Sequence, residues 1–263
     1  MKKNLCFYIF IFLSSIVFAE SIQLFEDIRL SWINDNVIVV THNYPWESNS
    51  LIIITNKNNI VFIDTPYTND AMEKVYTWVI GKYRPEIIET IITGYHIDNI
   101  GGLQFLKSKG IQVIGSDLTN QLIRSDGKKT ILTLMGWLNE ITQKKYYDYY
   151  SNAELVEVTK EIQVKDTYLY KLDNITIELF YPGESHAKDN ITAYISSYNL
   201  LFGSCIIKAK ESKNLGFTGD ANLQNWPIAV KNIRDKYQSS KIVIPHHGQW
   251  GDIELINHTI SLF

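Results

Sequence analysis

The sequence predicts an α/β protein in which two β-then-α halves bring sheets face to face and leave helices outside. Two observations lead to this prediction. The chain has 263 residues, of which 45% are hydrophobic and 13% aromatic, enough for a large core. Short apolar runs are followed by apolar residues at helical spacing, and this order occurs twice along the chain. No Pro-, Ser- or Gly-rich linker separates the halves, so residues 20–263 are expected to form one domain.

The first 19 residues have the pattern of a cleaved secretory signal. Met1-Lys2-Lys3 is basic, residues 5–18 are nearly all apolar, and Ala19 ends a small-residue cleavage pattern. The alternative is a membrane anchor, but the apolar run is shorter than the ~20 residues a span needs. We therefore expect a periplasmic or secreted protein without a stable membrane anchor. Cleavage would remove Cys6 and leave Cys205 as the single cysteine.

The first half of the chain predicts a hairpin, a helix and a buried strand. Residues 52–55 and 60–64 are β-rich runs on either side of an Asn-rich turn. Apolar residues between 72 and 80 recur at helical spacing, which predicts a helix. Residues 87–93 form a mostly apolar run, typical of a strand buried on both faces.

The second half repeats this order. Residues 175–181, 191–195 and 200–204 read as strands. Apolar positions between 226 and 237 mark a helix, and residues 241–245 a last strand.

A helical stripe of apolar residues at 131–141 lies between the halves and precedes a tyrosine-rich segment at 146–150. Amphipathic periodicity reports only burial, so the plainer interpretation is a surface helix packed on the core. The alternative is a lid over a cleft.

The charge excludes one class of function. Lys and Arg number 25 against 28 Asp and Glu, a formal net charge of −3. No basic field exists to bind a phosphate backbone, so we expect no nucleic-acid partner.

Residues that can bind a metal recur where the predicted strands end. Singly, each has a plainer interpretation: a solvated histidine, an aspartate at a helix N-cap, or a cysteine that acts as a small buried hydrophobe. Together, imidazole, carboxylate and thiolate suit Zn²⁺, and a metal would explain an unpaired thiol in an exported protein. These residues are His96, Asp98, His186, Cys205, His246 and His247.

An ordered set of segments resembles the metallo-β-lactamases over essentially the whole chain after residue 19. The resemblance implies an αβ/βα four-layer sandwich with a metal cleft between two sheet edges. The segments are Phe62-Ile63-Asp64-Thr65-Pro66, His96-Ile97-Asp98 with Gly101-Gly102, Tyr181-Pro182-Gly183 through His186 and Asp189-Asn190, Leu201-Phe202-Gly203-Ser204-Cys205 with Lys208, Gly219-Asp220-Ala221-Asn222 with Trp226-Pro227, and Pro245-His246-His247.

The resemblance also implies the metal ligands. Asp98, Cys205 and His247 look like the Asp-Cys-His zinc site of the family, and His96 and His186 look like two of the three histidines of its second site. One tightly bound Zn²⁺ is therefore expected, and a second is possible.

Two further residues take roles from the resemblance. Lys208 looks like the ammonium that binds the substrate carboxylate, and Asn190 lies where the family often places an asparagine near the ligands. Asp64, just after a buried strand, is expected to orient other groups rather than to contact substrate.

Two positions depart from the binuclear members. Gly94 stands where the first histidine of the second site would be, and Gly94-Tyr95-His96-Ile97-Asp98 is closer to the mononuclear, carbapenem-preferring subclass. That subclass has a long helix over the cleft, which favours the lid interpretation of residues 131–150. Phe217 replaces an asparagine that helps to bind substrate or to polarise the lactam carbonyl. Other segments look more like the binuclear group, so the chain is a mosaic.

The expected function is hydrolysis of β-lactam antibiotics, carbapenems included, by a monomer that confers antibiotic resistance. Asp98 or His96 would activate the water unless a second zinc takes that part. One alternative is a thioester, lactone or phosphodiester hydrolase of the same fold, in which Asp220 would bridge two metals. The other is an exported protein that binds zinc or β-lactams without catalysis.

Overall fold

A computed structural model describes residues 20–263. The predicted signal at residues 1–19, which contains Cys6, lies outside the described residues. Within residues 20–263, no helix is long and apolar enough to cross a membrane.

The first sheet has eight strands in chain order. Its first five strands pair antiparallel, and the last four, from the fifth onward, pair parallel. The strands are β1 (Ser21–Phe25), β2 (Ile28–Asn34), β3 (Val37–Asn43), β4 (Glu47–Ile54), β5 (Ile60–Ile63), β6 (Ile88–Ile91), β7 (Gln112–Ser116) and β8 (Lys160–Ile162).

The second sheet has five strands, in the order β13-β12-β11-β10-β9. Its strands pair antiparallel, except for β12 and β13, which run parallel. They are β9 (Thr167–Leu172), β10 (Ile175–Phe180), β11 (Thr192–Ile195), β12 (Leu200–Phe202) and β13 (Ile242–Ile244).

The described chain has seven α-helices, of which six lie between strands and the seventh follows the last strand. The first begins where the Thr68 side chain accepts a hydrogen bond from the Ala71 N–H, with Asp70 in its first turn, as helix N-termini favour. The helices are α1 (Asn69–Tyr83), α2 (Ile97–Ile100), α3 (Leu103–Ser108), α4 (Asp117–Gly136), α5 (Lys144–Ser151), α6 (Trp226–Lys236) and α7 (Glu254–Ile260).

The buried side chains separate into layers, as the predicted face-to-face sheets require. One cluster joins the outer face of the first sheet to α1, α3 and α4. A second fills the space between the sheets, with Val39 and Val61 on one side and Ile177 and Phe202 on the other. A third joins the second sheet to α6 and α7. The predicted α/β sandwich with helices outside is confirmed.

The apolar stripe predicted at 131–141 is helical only in part. Helix α4 ends at Gly136, and beyond it the Asn139 side chain accepts hydrogen bonds from the Ile141 and Thr142 N–H groups in a turn. Glycine weakens a helix interior by about 1 kcal/mol, and an asparagine that bonds nearby N–H groups favours a turn. Ile141 is consequently 87% exposed.

A buried acid lies where α4 meets the loop after β10. Asp189 is 1% exposed, accepts a hydrogen bond from the Thr119 hydroxyl at 2.8 Å, and has no partner for its other oxygen. Burial, only partly offset by Thr119, raises the pKa of Asp189 to about 6.

This raised pKa predicts a pH-dependent loss of stability. Native Asp189 keeps its proton in a range where the unfolded chain releases it, so folding becomes less favourable as pH rises from about 4 to about 6. A pKa raised by about two units corresponds to about 3 kcal/mol. We expect Asp189→Asn to stabilise the protein more at pH 7.5 than at pH 4.5. The comparison is the change in the free energy of unfolding at each pH, measured by urea denaturation of the metal-free protein. The control is Asp35→Asn, at an exposed turn; equal effects of Asp189→Asn at both pH values would contradict the account.

Candidate metal centre

Four donor side chains meet where three strands end. Asp98 lies in α2, shortly after β6; Cys205 lies in a turn after β12; His246 and His247 follow β13. One ligand atom from each of these residues lies within 4.8 Å of every other. Asp98, Cys205 and His247 were predicted as ligands, whereas His246 was noted at its strand end but given no role.

His247 is held with one ring nitrogen toward Asp98. Its Nδ1 lies 2.6 Å from the Glu47 carbonyl oxygen, so it donates there and leaves the Nε2 lone pair free. That Nε2 lies 2.9 Å from Asp98 Oδ2. A histidine that donates its second N–H to a carbonyl is the usual arrangement of a metal ligand.

The charges of the cluster favour a cation. Burial by itself would raise the pKa of Asp98, but the surrounding imidazoles of His246 and His247 hold it well below its usual range. Burial raises the pKa of the Cys205 thiol, which forms no disulfide with any described residue. Such a thiol ionises readily only beside a strong positive charge, which a bound metal supplies.

The donor set therefore fits zinc. A carboxylate, a thiol and imidazoles are zinc ligands, and the sulfur disfavours magnesium or calcium, which take oxygen donors. Asp98, Cys205 and His247, the ligands that the resemblance implies, are three of these four donors.

Asp64 lies behind the cluster and binds other protein groups. It accepts hydrogen bonds from the Thr93 N–H at 2.7 Å, the Thr93 hydroxyl at 2.6 Å and the Asn99 amide at 2.8 Å. It is 1% exposed. These contacts agree with the orienting role predicted for Asp64 from its position after a buried strand.

His96 and His186 lie side by side, but no third ligand joins them in the described chain. Their ring centroids are 5.2 Å apart. His96 Nε2 lies 3.2 Å from Asp220 Oδ2, and Lys129 Nζ lies 3.0 Å from the other oxygen of that carboxylate. The hydrogen bond from His96 lowers the pKa of Asp220 despite its burial. Asp220 is absent from the four-donor cluster, contrary to the bridging role that the alternative hydrolases require.

Asn190 fills the space that a side chain at residue 94 would need. A Cβ built on Gly94 overlaps the Asn190 amide nitrogen. That amide is 1% exposed, and its oxygen accepts the Ala187 N–H at 2.9 Å. The structure places Asn190 against Gly94, outside the lining of the cleft.

The four-donor cluster borders a cleft of about 1040 Å³, which Asp98 and His247 help to line. Lys208 lines it, almost fully buried, with its ammonium 5.1 Å from the ring centroid of Trp226. Burial lowers the pKa of Lys208, and the neighbouring Cys205 and Asp98 act in the opposite direction. The lysine forms no salt bridge within the described residues, so its charge faces the cleft without a partner.

Aromatic side chains also line the cleft, and of these only Phe217 was singled out from the sequence. Trp137 packs edge-on against two other rings. Its ring centroid lies 5.8 Å from that of Trp46 and 5.1 Å from that of Phe217. The Phe217 ring lies 6.1 Å from His96 and 6.3 Å from His186. Residues of α4, among them Leu134, also line the cleft. Helix α4 thus packs on the core, as the surface-helix interpretation expects. It also borders the cleft, which is where the lid interpretation places residues 131–150.

Comparisons with known proteins agree with this architecture. The metallo-beta-lactamase type 2 of Bacillus sp. (strain 170) is 30% identical over 240 residues, which cover 89% of this chain and 82% of that protein. The protein of the same name from Pseudomonas aeruginosa is 31% identical, with 89% of this chain and 83% of the relative covered.

Solved structures match the fold over a similar length. A metallo-beta-lactamase from Pontibacter korlensis superimposes with a TM-score of 0.75 at 26% identity, over 89% of this chain and 98% of that one. The DIM-1 metallo-beta-lactamase gives a TM-score of 0.74 at 25% identity, over 90% and 96%. No protein-family profile matches the chain.

The contact between Gly94 and Asn190 predicts a strong coupling. Gly94→Ala should lower the free energy of unfolding by about 1–3 kcal/mol, because the added methyl overlaps a buried amide. The same change should cost far less in an Asn190→Ala background, which gives a coupling energy of about 1 kcal/mol or more in urea denaturation of the four proteins.

The matched control is Gly136→Ala, since a Cβ at Gly136 meets nothing within 4 Å. We expect it to be neutral or stabilising in both backgrounds. Costs of Gly94→Ala that are equal with and without Asn190 would show that the two positions do not compete for space.

Proposed function

This chain belongs to the metallo-β-lactamase family, and on that premise we propose that it hydrolyses the cyclic amide of β-lactam antibiotics, with zinc held by Asp98, Cys205 and His247. The observation that carries the proposal is the convergence of carboxylate, thiol and imidazole donors at a cleft that also contains a buried lysine. Bound zinc would supply Lewis-acid stabilisation of the negative charge that develops on the lactam nitrogen as the C–N bond opens.

Lys208 binds the substrate carboxylate in this proposal. Its ammonium lies in the wall of the cleft without an anionic partner from the described chain, and it is 8% exposed. A substrate carboxylate would pair with it in a site that excludes much of the water, where such charge pairs are strong. Binding energy at this end orients the ring toward Asp98 and its neighbours.

His96 serves as the general base. If His96 donates its Nε2–H to Asp220, which lies 3.2 Å away, the Nδ1 lone pair remains available to accept a proton from water. Asp98 is the weaker candidate for this role, because its lowered pKa makes it a poor base. Asp220 and Lys129 together hold the imidazole in this tautomer.

One tightly bound zinc is part of the proposal. Gly94 offers no ligand beside His96 and His186, and the Asn190 amide and the Phe217 ring crowd the same region. The resemblance of residues 94–98 to the mononuclear subclass supports carbapenems as substrates. Residues 1–19 would direct the protein to the periplasm or outside the cell, where hydrolysis of these antibiotics confers resistance, and the active unit would be a monomer.

The proposed function predicts that hydrolysis depends on bound zinc. The mature protein should reach maximal hydrolysis of imipenem at one zinc per chain. Cys205→Ser should lower kcat/KM more than about 10³-fold, because several kcal/mol of charge stabilisation depend on the metal that this thiol helps to hold. Metal analysis alongside hydrolysis over a zinc titration tests both.

Two outcomes would contradict parts of the proposal. A protein that binds zinc but hydrolyses no carbapenem, penicillin or cephalosporin would be a binding protein and not an enzyme. Activity that rises only with the second equivalent of zinc would overturn the single-zinc assignment and leave the hydrolase in place.

The proposed role of Lys208 predicts a loss of substrate binding when this lysine is removed. Lys208→Ala should raise KM for imipenem about 10- to 100-fold, because a hydrogen bond to a charged group contributes about 1.5–3 kcal/mol, with a smaller effect on kcat. Lys210→Ala, at an exposed position two residues later, is the control and should leave steady-state kinetics unchanged. If Lys208→Ala lowers kcat and leaves KM unchanged, the lysine does not bind the substrate in the ground state.

A further inference from the structure

His246 is a buried imidazole whose polar atoms have no hydrogen-bond partner. Its exposure is 0%, and neither Nδ1 nor Nε2 makes a hydrogen bond within the described residues. Leaving a buried polar atom unsatisfied costs about 1–3 kcal/mol, so such an arrangement is expected only where something else binds the group.

Backbone hydrogen bonds fix the position of His246 beside the other donors. The His246 N–H donates to the Ser204 carbonyl at 3.0 Å, next to Cys205, and its own carbonyl accepts the Asn49 N–H at 2.7 Å. The Asn49 side chain also donates to the carbonyls of Pro245 and Gly248, on either side of the two histidines. These bonds fix the backbone on both sides of His246, and its side chain is fully enclosed by neighbouring groups.

The distances fit four ligands around one ion. Asp98 Oδ2 lies 2.9 Å from His247 Nε2, 3.4 Å from His246 Nε2 and 3.9 Å from Cys205 Sγ. Zinc bonds of about 2.0–2.3 Å in a tetrahedron place neighbouring donors roughly 3.3–3.8 Å apart. Small movements would bring all four donors to this spacing.

A purely hydrogen-bonding role for His246 fits less well. Its Nδ1 lies 3.5 Å from Asp64 Oδ2 and its Nε2 3.4 Å from Asp98 Oδ2, both longer than the 2.7–3.2 Å that is usual for N–H···O bonds. Asp64 already accepts three hydrogen bonds from Thr93 and Asn99. The carboxylate therefore does not require a donor from His246.

We propose that His246 Nε2 is a fourth protein ligand of the zinc that Asp98, Cys205 and His247 bind. The inference rests on the zinc site of the proposed function and extends it. Asp98 and Cys205 as carboxylate and thiolate would balance the two charges of the ion, so that the buried set is neutral overall, as a buried charged group requires. Four protein ligands would make the zinc four-coordinate, and the Lewis-acid role of the proposed function would then require a fifth ligand, an expansion that catalytic zinc sites allow.

The direct test counts imidazoles. X-ray absorption spectra at the zinc edge of the wild-type mature protein, loaded with one equivalent of zinc, should fit one sulfur, one oxygen and two imidazoles. A fit with sulfur and a single imidazole overturns the proposal. Two imidazoles without sulfur would place the ion at His96 and His186 and overturn it as well.

A second test measures affinity. Zinc dissociation constants from chelator competition should rise more than about 10-fold in His246→Gln, the low end of what loss of a supporting group costs at metal sites. The visible bands of the cobalt-loaded protein should change in the same variant. His258→Gln is the matched control, because His258 lies in α7 and bonds the Ser212 carbonyl; its affinity should stay within twofold.

These measurements separate the inference from the proposed hydrolase. Imipenem hydrolysis by a wild-type protein whose zinc has one imidazole would sustain the function and reject the role of His246. A zinc with two imidazoles and one sulfur in a protein that hydrolyses no β-lactam would support the role of His246 and reject the proposed function. If His246→Gln fails to fold, as circular dichroism of the metal-free protein would reveal, the wild-type absorption spectrum alone decides.

Discussion

The Asp64 carboxylate is the interaction on which the site depends. It follows β5 in the left-handed region, with a φ of 58°, and is buried against the end of β6. A buried carboxylate is costly unless it is fully hydrogen-bonded, and here Thr93 and Asn99 provide the donors. The Thr93 hydroxyl also lies 2.9 Å from the Ser204 hydroxyl of the second sheet. Through Thr93, Asp64 thus links the ends of β5 and β6 in the first sheet to Ser204, the residue before Cys205, in the turn after β12 of the second.

Much of the fold follows from local pattern. The hairpin of β4 and β5, the buried strand β6, and the order of β10 to β13 with α6 were predicted because their apolar runs are bounded by turn residues. Strands β1 to β3 and β7 to β9 were not predicted. Among them β8 has only three residues, and β3 is buried at all positions but the last, so neither shows the alternation that marks a half-buried strand.

The candidate ligands could be predicted as a set, but their neighbours could not. Strand ends predicted where His96, Asp98, Cys205 and His247 would lie, since loops at strand ends carry most sites. The pairing of His96 with Asp220 joins residues 124 positions apart, and only the folded chain brings them together. His246 and His247 both enter the cluster because Asn49 holds the loop on each side of them. Neither constraint has a local signature in the sequence.

The site proposed for zinc lies among Asp98, Cys205 and the two histidines after β13. A crystal structure of the mature protein with one equivalent of zinc, with anomalous data collected on both sides of the zinc edge, tests it most directly. This assignment predicts a single strong anomalous peak within bonding distance of Asp98 Oδ2, Cys205 Sγ, His246 Nε2 and His247 Nε2. A first peak between His96 and His186, with the Asp98–Cys205 cluster free of metal, would contradict it.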